Sequence, residues 1–465
     1  MRLKAFFRRT FEAQPWLAGY VYPVKGNITP KDQLEVRFTK QDVENFEVKV
    51  QHLGPDRFPW SYDEICQLGM PPSKIPRELI SACPDRRPDT EPALILDVTV
   101  IIIRGGLLLA IFLHHGATDG ASIGTIICGQ LCRNVVDSPS RSTADLAKSA
   151  EAESLIRSPL SLIPPKHPIG LHREYTSALR MLGQNPAPPP KAPLPSAVTS
   201  HIFFFSDSAL ESLKASLNIL LEASPDTSIP WITTNDALQS LLWHHLTRAR
   251  IPSVDNNPLP DTATLIIPVN MRRRINPPIP HTYLGGAVAL APATVPLSVL
   301  HPSRLHSTQT PDASLPGGSQ EEADKAYLLP TAKVIHGVVA RCDDTYLREV
   351  LALTQLQSSM REMVDLNANI AAGLDLCINS WAALPIYDES PDAGGDLGMG
   401  LGLPDFVRKP WSRDAGGCII LPRDRRQRDG REPGLEVLVQ LKTEDMHRLL
   451  QDSDFMGYVG RVIDA

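Results

Sequence analysis

A run of prolines constrains the fold of this chain more than any other feature. Six prolines lie between Asn185 and Pro195 in a chain of 465 residues. Because proline has no backbone N–H and a fixed φ, such a segment neither continues a helix nor pairs inside a sheet, and it behaves as an extended spacer. A chain of this length also exceeds one ordinary hydrophobic core. We therefore predict two domains, residues 1–184 and 198–465, joined by a linker at 185–197.

The composition is typical of a globular protein, with 42% apolar and 21% charged residues. The net charge of −6 and the lack of a long basic run argue against a nucleic-acid partner. Seven cysteines are scattered along the sequence without a Cys-x-x-Cys pair, so we expect neither a disulfide framework nor a metal site. This use of cysteine favours a reduced, cytoplasmic location.

Two stretches of the first half carry clear patterns. Apolar residues recur at helical spacing near the start and predict an amphipathic helix over about 2–13. The stretch Ala93–Leu113 is apolar enough to resemble a membrane span, but Asp97 and Arg104 interrupt it, and charges are costly in lipid. Two buried strands joined at Gly105–Gly106 explain this stretch better, so no membrane insertion is expected.

The second half mixes strands with helices. A capping box, Ser208-x-x-Glu211, predicts the start of one helix, and Thr443 is expected to cap the last one. Further strands are predicted at 201–205, 264–269, 374–380, 417–421 and 435–441, and further helices over about 121–136, from about 235, and over about 332–362. Strands and helices mixed in both halves indicate two α/β domains.

One segment carries recognisable chemistry. A predicted apolar strand ends and a helix begins at His114–Gly120. A strand end fixes a side chain in place while the loop admits substrate. A neutral imidazole at His115 can take a proton from a hydroxyl at neutral pH, and Asp119, four residues later, can organise the loop behind the ring. Gly120 permits a close backbone approach.

From the residues alone, other interpretations of this segment stay open. Both histidines are also compatible with satisfied core or capping positions. A metal site formed by His114, His115 and Asp119 is a further alternative, although no additional ligands lie nearby in the sequence. A nucleophilic triad is not expected.

Six stretches of the sequence, in the same order, resemble those of one enzyme family. His115–Gly120 matches a His-x-x-x-Asp-Gly motif, and Asp396-Leu397-Gly398-Met399-Gly400 is an altered form of a late Asp-Phe-Gly-Trp-Gly motif. The supporting stretches are Trp16–Gly19, Thr233–Leu238, Val269–Pro278 and Asn379–Trp381. The chain thus resembles the BAHD family, the plant and fungal acyl-CoA-dependent acyltransferases, and most of all its fungal branch with the trichothecene acetyltransferases. The resemblance spans nearly the whole chain.

The resemblance implies a fold and a reaction. It implies two chloramphenicol-acetyltransferase-like α/β domains, with mixed sheets flanked by helices and an active-site channel between them. No bound cofactor is implied, and acyl-CoA, with acetyl-CoA the default, is the expected co-substrate. His115 is expected to deprotonate an acceptor hydroxyl, which attacks the thioester directly. The implied acceptor is an alcohol of a specialised metabolite such as a terpenoid or polyketide, and the protein is expected to be a monomer.

The resemblance also assigns roles to individual residues. Asp119 is expected to point away from substrate and to pair with Arg272 or Arg274, with Asp396 using the other arginine. The residues expected on the cofactor side are Thr234, Arg272, Ser380, Asp396, Gly398 and Gly400. Thr234 also suits helix capping. Arg408 and Lys409 are weaker candidates for contact with the CoA phosphates, since a solvated surface is the simpler interpretation of both.

Three departures from the family pattern carry expectations of their own. No counterpart of the family's first strand precedes the opening helix, so either the sequence is truncated there or the sheet lacks a strand at that point. Leu397 and Met399 stand where aromatic residues are usual, which should reshape the channel floor. Gly286 stands where asparagine is common, which removes a possible hydrogen bond.

Two alternative functions share these motifs. A condensation-type domain of peptide synthesis also carries the doubled histidine of His114 and His115, but it takes acyl groups from carrier proteins. A non-catalytic relative that binds a small molecule is the other alternative.

Overall fold

The computed structural model of the chain describes residues 2–26, 31–76, 78, 92–127, 172, 174–181, 183, 198–224, 229–254, 259–279, 283–301, 325–355, 368–387, 402–409, 415–426 and 432–464. The proline-rich linker at 185–197 lies outside these residues. The division into two domains at that point therefore stays a prediction.

Two three-stranded sheets form in the part of the chain before the linker. Its helices are α1 (Arg2–Ala13), α2 (Lys40–Asn45), α3 (Tyr62–Gln67), α4 (Gly120–Ile127) and α5 (Thr176–Met181). Its strands are β1 (Tyr20–Pro23), β2 (Leu34–Arg37), β3 (Lys49–His52), β4 (Ala93–Leu94), β5 (Leu96–Ile103) and β6 (Gly106–Leu113). One sheet has the order β2-β1-β4 and is antiparallel, and the other has the order β3-β5-β6, with β3 parallel to β5 and β5 antiparallel to β6.

The predicted hairpin and first helix are both present. Strands β5 and β6 pair along their full lengths around a turn at Arg104–Gly105, where Gly105 has a φ of +86° that favours glycine. Helix α1 buries Phe6, Phe7 and Phe11, which are at most 2% exposed, in the same apolar cluster as several β5 residues. Within the described residues, no helix is long and apolar enough to cross a membrane.

The part of the chain after the linker forms one mixed sheet with helices packed on it. Its strands are β7 (Val198–Ser206), β8 (Thr262–Asn270), β9 (Val288–Pro296), β10 (Leu376–Ser380), β11 (Gly417–Ile420), β12 (Gly434–Lys442) and β13 (Arg461–Asp464). Its helices are α6 (Asp207–Glu222), α7 (Thr234–Arg250), α8 (Leu297–Leu300), α9 (Leu329–Arg341), α10 (Asp344–Gln355), α11 (Thr443–Leu450) and α12 (Ser453–Met456). The strand order is β13-β7-β12-β11-β10-β8-β9, and only β10 runs parallel to both of its neighbours.

Helix α7 forms the centre of the second core. Thr233 caps it through a capping box with Asp236, and Trp243 is fully buried within it. His244 and His245 are buried beside Trp243: His244 meets the Thr331 hydroxyl at 3.1 Å, and His245 meets a carboxylate of Asp452 at 2.8 Å. Burial lowers the pKa of His244 to about 3. The ring is therefore neutral at physiological pH and packs as part of the core.

Three of the sequence expectations about helix ends are wrong. The N-cap of α6 is Ser206, whose Oγ accepts the N–H of Ala209, and not Ser208. Thr443 is the first residue of α11, after an N-cap that makes no side-chain hydrogen bond. The long helix predicted over 332–362 breaks into α9 and α10, because Asp343 accepts the N–H of Tyr346 and starts a new helix.

Arg408 joins the two parts of the chain, and this contact replaces its suggested role toward CoA. Its guanidinium donates to the carbonyls of Gly69 and Met70, at 2.6 and 3.0 Å, and to both oxygens of Glu436 on β12, at 2.5 and 3.1 Å. The side chain is only 8% exposed. Because these partners occupy its guanidinium, Arg408 is not available to bind a CoA phosphate. It acts instead as a structural tie, a side chain that holds the two parts of the chain together.

Replacing Arg408 with Met should lower the free energy of unfolding by about 2–3 kcal/mol, because Glu436 keeps only its longer ion pair with Arg461, at 3.5 Å, and two carbonyls lose a donor. Urea denaturation measures this change. Arg425→Met is the matched control, since Arg425 is an exposed arginine in the connection between β11 and β12, and it should change the free energy by less than about 0.5 kcal/mol. Equal effects of the two substitutions would contradict the proposed tie.

Candidate active site

The segment between β6 and α4 folds into a tight turn, which we call the histidine turn (residues 114–119). The N–H of His114 donates to the carbonyl of Ile95 at 2.8 Å and so attaches the turn to the neighbouring strand segment. The carbonyl of His114 in turn accepts the N–H groups of Ala117 and Thr118, at 3.0 and 3.2 Å. His115 lies inside this hydrogen-bonded loop, two residues after Leu113, the last residue of β6.

His115 and Asp119 have opposite environments. His115 is exposed to solvent, whereas Asp119 is 5% exposed. A group that exchanges protons with a substrate needs access to it, and a buried carboxylate needs partners. The structure therefore makes His115 the accessible member of the motif and Asp119 the internal one.

Asp119 forms a bidentate ion pair with Arg272. Nη1 of Arg272 donates to Oδ2 of Asp119 at 2.8 Å, and Nη2 donates to Oδ1 at 3.1 Å. The N–H of Ala287 donates to Oδ2 at 2.9 Å, and the N–H of Ser122 donates to Oδ1 at 3.0 Å. Both carboxylate oxygens are thus fully engaged, so Asp119 has no oxygen left to take a proton from substrate.

Arg272 is equally engaged. Its Nη2 also donates to the carbonyl of Gly285 at 2.8 Å, and its Nε donates to the carbonyl of Tyr283 at 3.2 Å. Because Arg272 follows β8 and Ala287 precedes β9, the connection between these strands closes over the start of α4. The ion pair therefore fixes the histidine turn against the second part of the chain.

The pKa of Asp119 reflects these contacts. Burial alone would raise it, but the hydrogen bonds and charge of Arg272, together with the N–H groups of Ala287 and Ser122, outweigh burial and hold the pKa below its usual value. The carboxylate therefore stays ionised at any pH where the protein is expected to work.

Arg272, not Arg274, is the partner of Asp119. Arg274 donates to the carbonyls of Val339 and Cys342, at 2.5 and 3.0 Å. Val339 lies in the last turn of α9 and Cys342 is its C-cap, so Arg274 binds carbonyls at the helix end, where the regular i to i+4 hydrogen bonds run out. Of the two candidate arginines, Arg272 thus binds the histidine turn, and Arg274 binds the end of α9.

The start of α4 meets the end of β10. A Cβ added at Gly120 would lie 3.1 Å from Nε1 of Trp381, so glycine allows the close approach that the sequence predicted. Ser380, the last residue of β10, is exposed next to Trp381. The sequence placed Ser380 among cofactor residues, and the structure brings its strand end beside the motif.

Within the described part of the chain, none of the other predicted cofactor residues lies at the histidine turn. Asp396, Gly398 and Gly400 lie outside the described residues. Thr234 is the first residue of α7, directly after the capping Thr233. Within the described ranges, no group of three or more His, Cys, Asp or Glu side chains is placed to hold a metal ion.

Sequence reasoning missed Ser122. The stretch Gly120–Gly124 does have the Gly-x-Ser-x-Gly spacing of a serine nucleophile. Ser122 is nevertheless fully buried, and its Oγ lies 2.9 Å from Asp119 and 2.7 Å from the carbonyl of Leu284. The serine braces Asp119 in the way a helix-capping pair does, and the Asp-x-x-Ser spacing was the available signal.

Asp119→Asn should lower the free energy of unfolding by about 3–5 kcal/mol, because it leaves the Arg272 charge buried without a counter-ion. Urea denaturation of both proteins measures this. Glu44→Gln removes a fully solvated ion pair with Lys40, whose side chains are 59% and 84% exposed. That control should cost less than about 0.5 kcal/mol, and a comparably small cost for Asp119→Asn would contradict the structural importance of the pair.

The stability that Asp119 contributes should depend on pH. Because its folded pKa is depressed, the contribution is complete above the unfolded pKa of about 3.9 and is lost as pH falls through the folded value. The difference in unfolding free energy between wild type and Asp119→Asn should therefore shrink below about pH 4. Denaturation curves from pH 7 to pH 3 test this, and a difference that grows in acid has the wrong sign.

Solved structures share this fold. The crystal structure of F. sporotrichioides TRI101 complexed with coenzyme A and T-2 superposes with a TM-score of 0.70. The match covers 99% of this chain and 91% of that chain at 20% sequence identity. The predicted α/β architecture with mixed sheets flanked by helices is confirmed.

Several curated relatives are acetyltransferases by name. The O-acetyltransferase anaAT of Neosartorya fischeri is 26% identical over 490 residues, which cover 98% of this chain and 90% of the relative. The trichothecene 8-O-acetyltransferase of Fusarium sporotrichioides is 25% identical over 391 residues, covering 78% of this chain and 72% of the relative.

A family model agrees with these relatives. The model of the Transferase family matches residues 69–296, which include the histidine turn, Arg272 and Ala287. The chain is therefore similar to the BAHD-type Transferase family over these residues, and it is an acyl-CoA-dependent acyltransferase.

Proposed function

We propose that this chain transfers an acetyl group from acetyl-CoA to a hydroxyl of a specialised metabolite, with His115 as the general base. One observation carries the assignment of the base: His115 is exposed on a turn whose carboxylate, Asp119, is buried and has both oxygens engaged. Of the ionisable groups in the motif, only the histidines are left to accept a proton, and His115 is the exposed one.

The proposed reaction is direct. The neutral imidazole of His115 takes the proton of the acceptor hydroxyl while the hydroxyl oxygen attacks the thioester carbonyl carbon. The tetrahedral intermediate then breaks its carbon–sulfur bond, and the imidazolium returns the proton to the departing CoA sulfur. Holding both substrates beside one base supplies much of the acceleration, since it replaces a chance encounter with a fixed geometry. No acyl group becomes attached to the protein.

Residues on the cofactor side complete the proposal. Ser380 is supported by its position at the exposed end of β10, where Trp381 contacts Gly120. Asp396, Gly398 and Gly400 are proposed to shape the channel floor beside CoA, as the resemblance implies. Arg272 is proposed to act through Asp119, because its guanidinium has partners within the protein at each nitrogen.

The acceptor class rests on the relatives. Both relatives described above are named O-acetyltransferases, and one name specifies a trichothecene. We accordingly propose a terpenoid-like or polyketide alcohol. We also propose that the protein acts as a monomer in the cytoplasm. Its scattered cysteines support that location, since the cysteines in the described part of the chain are free thiols and not disulfides.

His115→Ala should lower kcat by roughly 10²–10⁴-fold, the usual contribution of a general base. The assay is release of free thiol from acetyl-CoA by the purified chain in the presence of a panel of terpenoid and polyketide alcohols. His52→Ala is the matched control, because His52 is also an exposed histidine but lies at the end of β3. Undiminished turnover in His115→Ala would show that the base is another group.

A further inference from the structure

We propose that His114 is a positioning residue, whose ring nitrogen Nδ1 holds the histidine turn in the shape that presents His115. This inference rests on the proposed function, because it concerns how the base is aimed. It specifies how the first histidine of the motif acts, where the resemblance implied only a positional role.

The geometry of the His114 ring supports this role. The N–H of Gly116 donates to Nδ1 of His114 at 3.1 Å, from a residue two positions later in the chain. Asparagine and aspartate side chains make the same i to i+2 contact in Asx-turns, where the side chain replaces a backbone acceptor. The imidazole of His114 therefore acts as the acceptor of a local turn, and His115 is the residue enclosed by that turn.

The backbone of His114 reinforces the contact made by its ring. Its N–H donates to Ile95, and its carbonyl accepts from Ala117 and Thr118, including the Thr118 hydroxyl at 3.2 Å. Three groups of His114 thus fix the turn: the N–H attaches it to Ile95, the ring nitrogen binds Gly116, and the carbonyl binds Ala117 and Thr118. The Cα of His115 lies between the ring and carbonyl attachments.

The hydrogen bond defines the state of the ring. An Nδ1 that accepts a hydrogen bond carries no proton, so His114 is neutral with its proton on Nε2. A ring in this state cannot use Nδ1 as a base toward substrate, because the lone pair already has a donor. The two adjacent histidines are therefore assigned different tasks by their contacts.

The His114 ring lies close to Gly116 on one side of the turn. A Cβ added at Gly116 would lie 3.0 Å from Cδ1 of Leu34 and 3.1 Å from Cε1 of His114. A larger residue at position 116 would therefore require the His114 ring or the Leu34 side chain to shift by a few tenths of an ångström. Glycine lets the ring stay where its Nδ1 reaches the Gly116 N–H.

Two matched pairs of substitutions test the role of the acceptor. His114→Asn keeps an acceptor at the position of Nδ1, whereas His114→Leu has nearly the same shape as Asn but no acceptor. The Leu variant should lose about 10- to 100-fold in kcat, the cost of a misplaced catalytic group, with an unchanged KM for acetyl-CoA. The Asn variant should stay within about threefold of wild type, because an Asx-turn restores the contact. His114→Ser and His114→Ala form a second pair with smaller side chains, in which Ser again keeps a hydrogen-bond acceptor and Ala has none.

Melting temperature and binding of coenzyme A are measured for each variant, so that a folding defect is recognised. If a Leu variant proves unfolded, the Ser and Ala pair decides. Wild-type turnover in folded His114→Leu or His114→Ala overturns the proposal, and so does an equal loss in both members of a folded pair. His115→Ala in the same assay separates the two ideas: its inactivity beside a fully active His114→Leu leaves the base assignment intact and removes only the positioning role.

Discussion

Asp119 and Arg272 meet where both side chains are almost completely removed from water, and the histidine turn, the start of α4 and the β8–β9 connection are all attached to this one ion pair. Burying two charges is costly, and their attraction offsets the cost only if the remaining donors and acceptors are satisfied. Here the N–H groups of Ser122 and Ala287 and the carbonyl of Gly285 complete the set. The pair thus joins the histidine turn, in the first part of the chain, to the β8–β9 connection in the second part.

This arrangement explains why adjacent residues of one short motif do different things. Asp119 organises, because both of its oxygens are engaged. His115 is exposed and is the proposed base. His114 points its ring back into the turn and accepts from Gly116. Burial and hydrogen bonding, which the motif does not reveal by itself, separate these roles.

Local patterns predicted much of the fold. The hairpin of β5 and β6 and helix α1 followed from apolar spacing, and the motif itself located the turn that holds His115. Strand β9 was missed because Pro292 and Pro296 argue against a strand, yet it lies at the edge of the sheet, where proline is tolerated. The choice of Arg272 over Arg274 depended on where α9 ends, and that end depends on long-range contacts that no local pattern contains.

If His115 is the base, the thioester must react beside its imidazole. A crystal structure of the chain with coenzyme A bound would show where the CoA sulfur lies. We expect the sulfur within hydrogen-bond reach of the His115 imidazole, about 3 Å or one bridging water away. A sulfur bound elsewhere, with His115 facing solvent and separated from it by more than one water, would rule out His115 as the base.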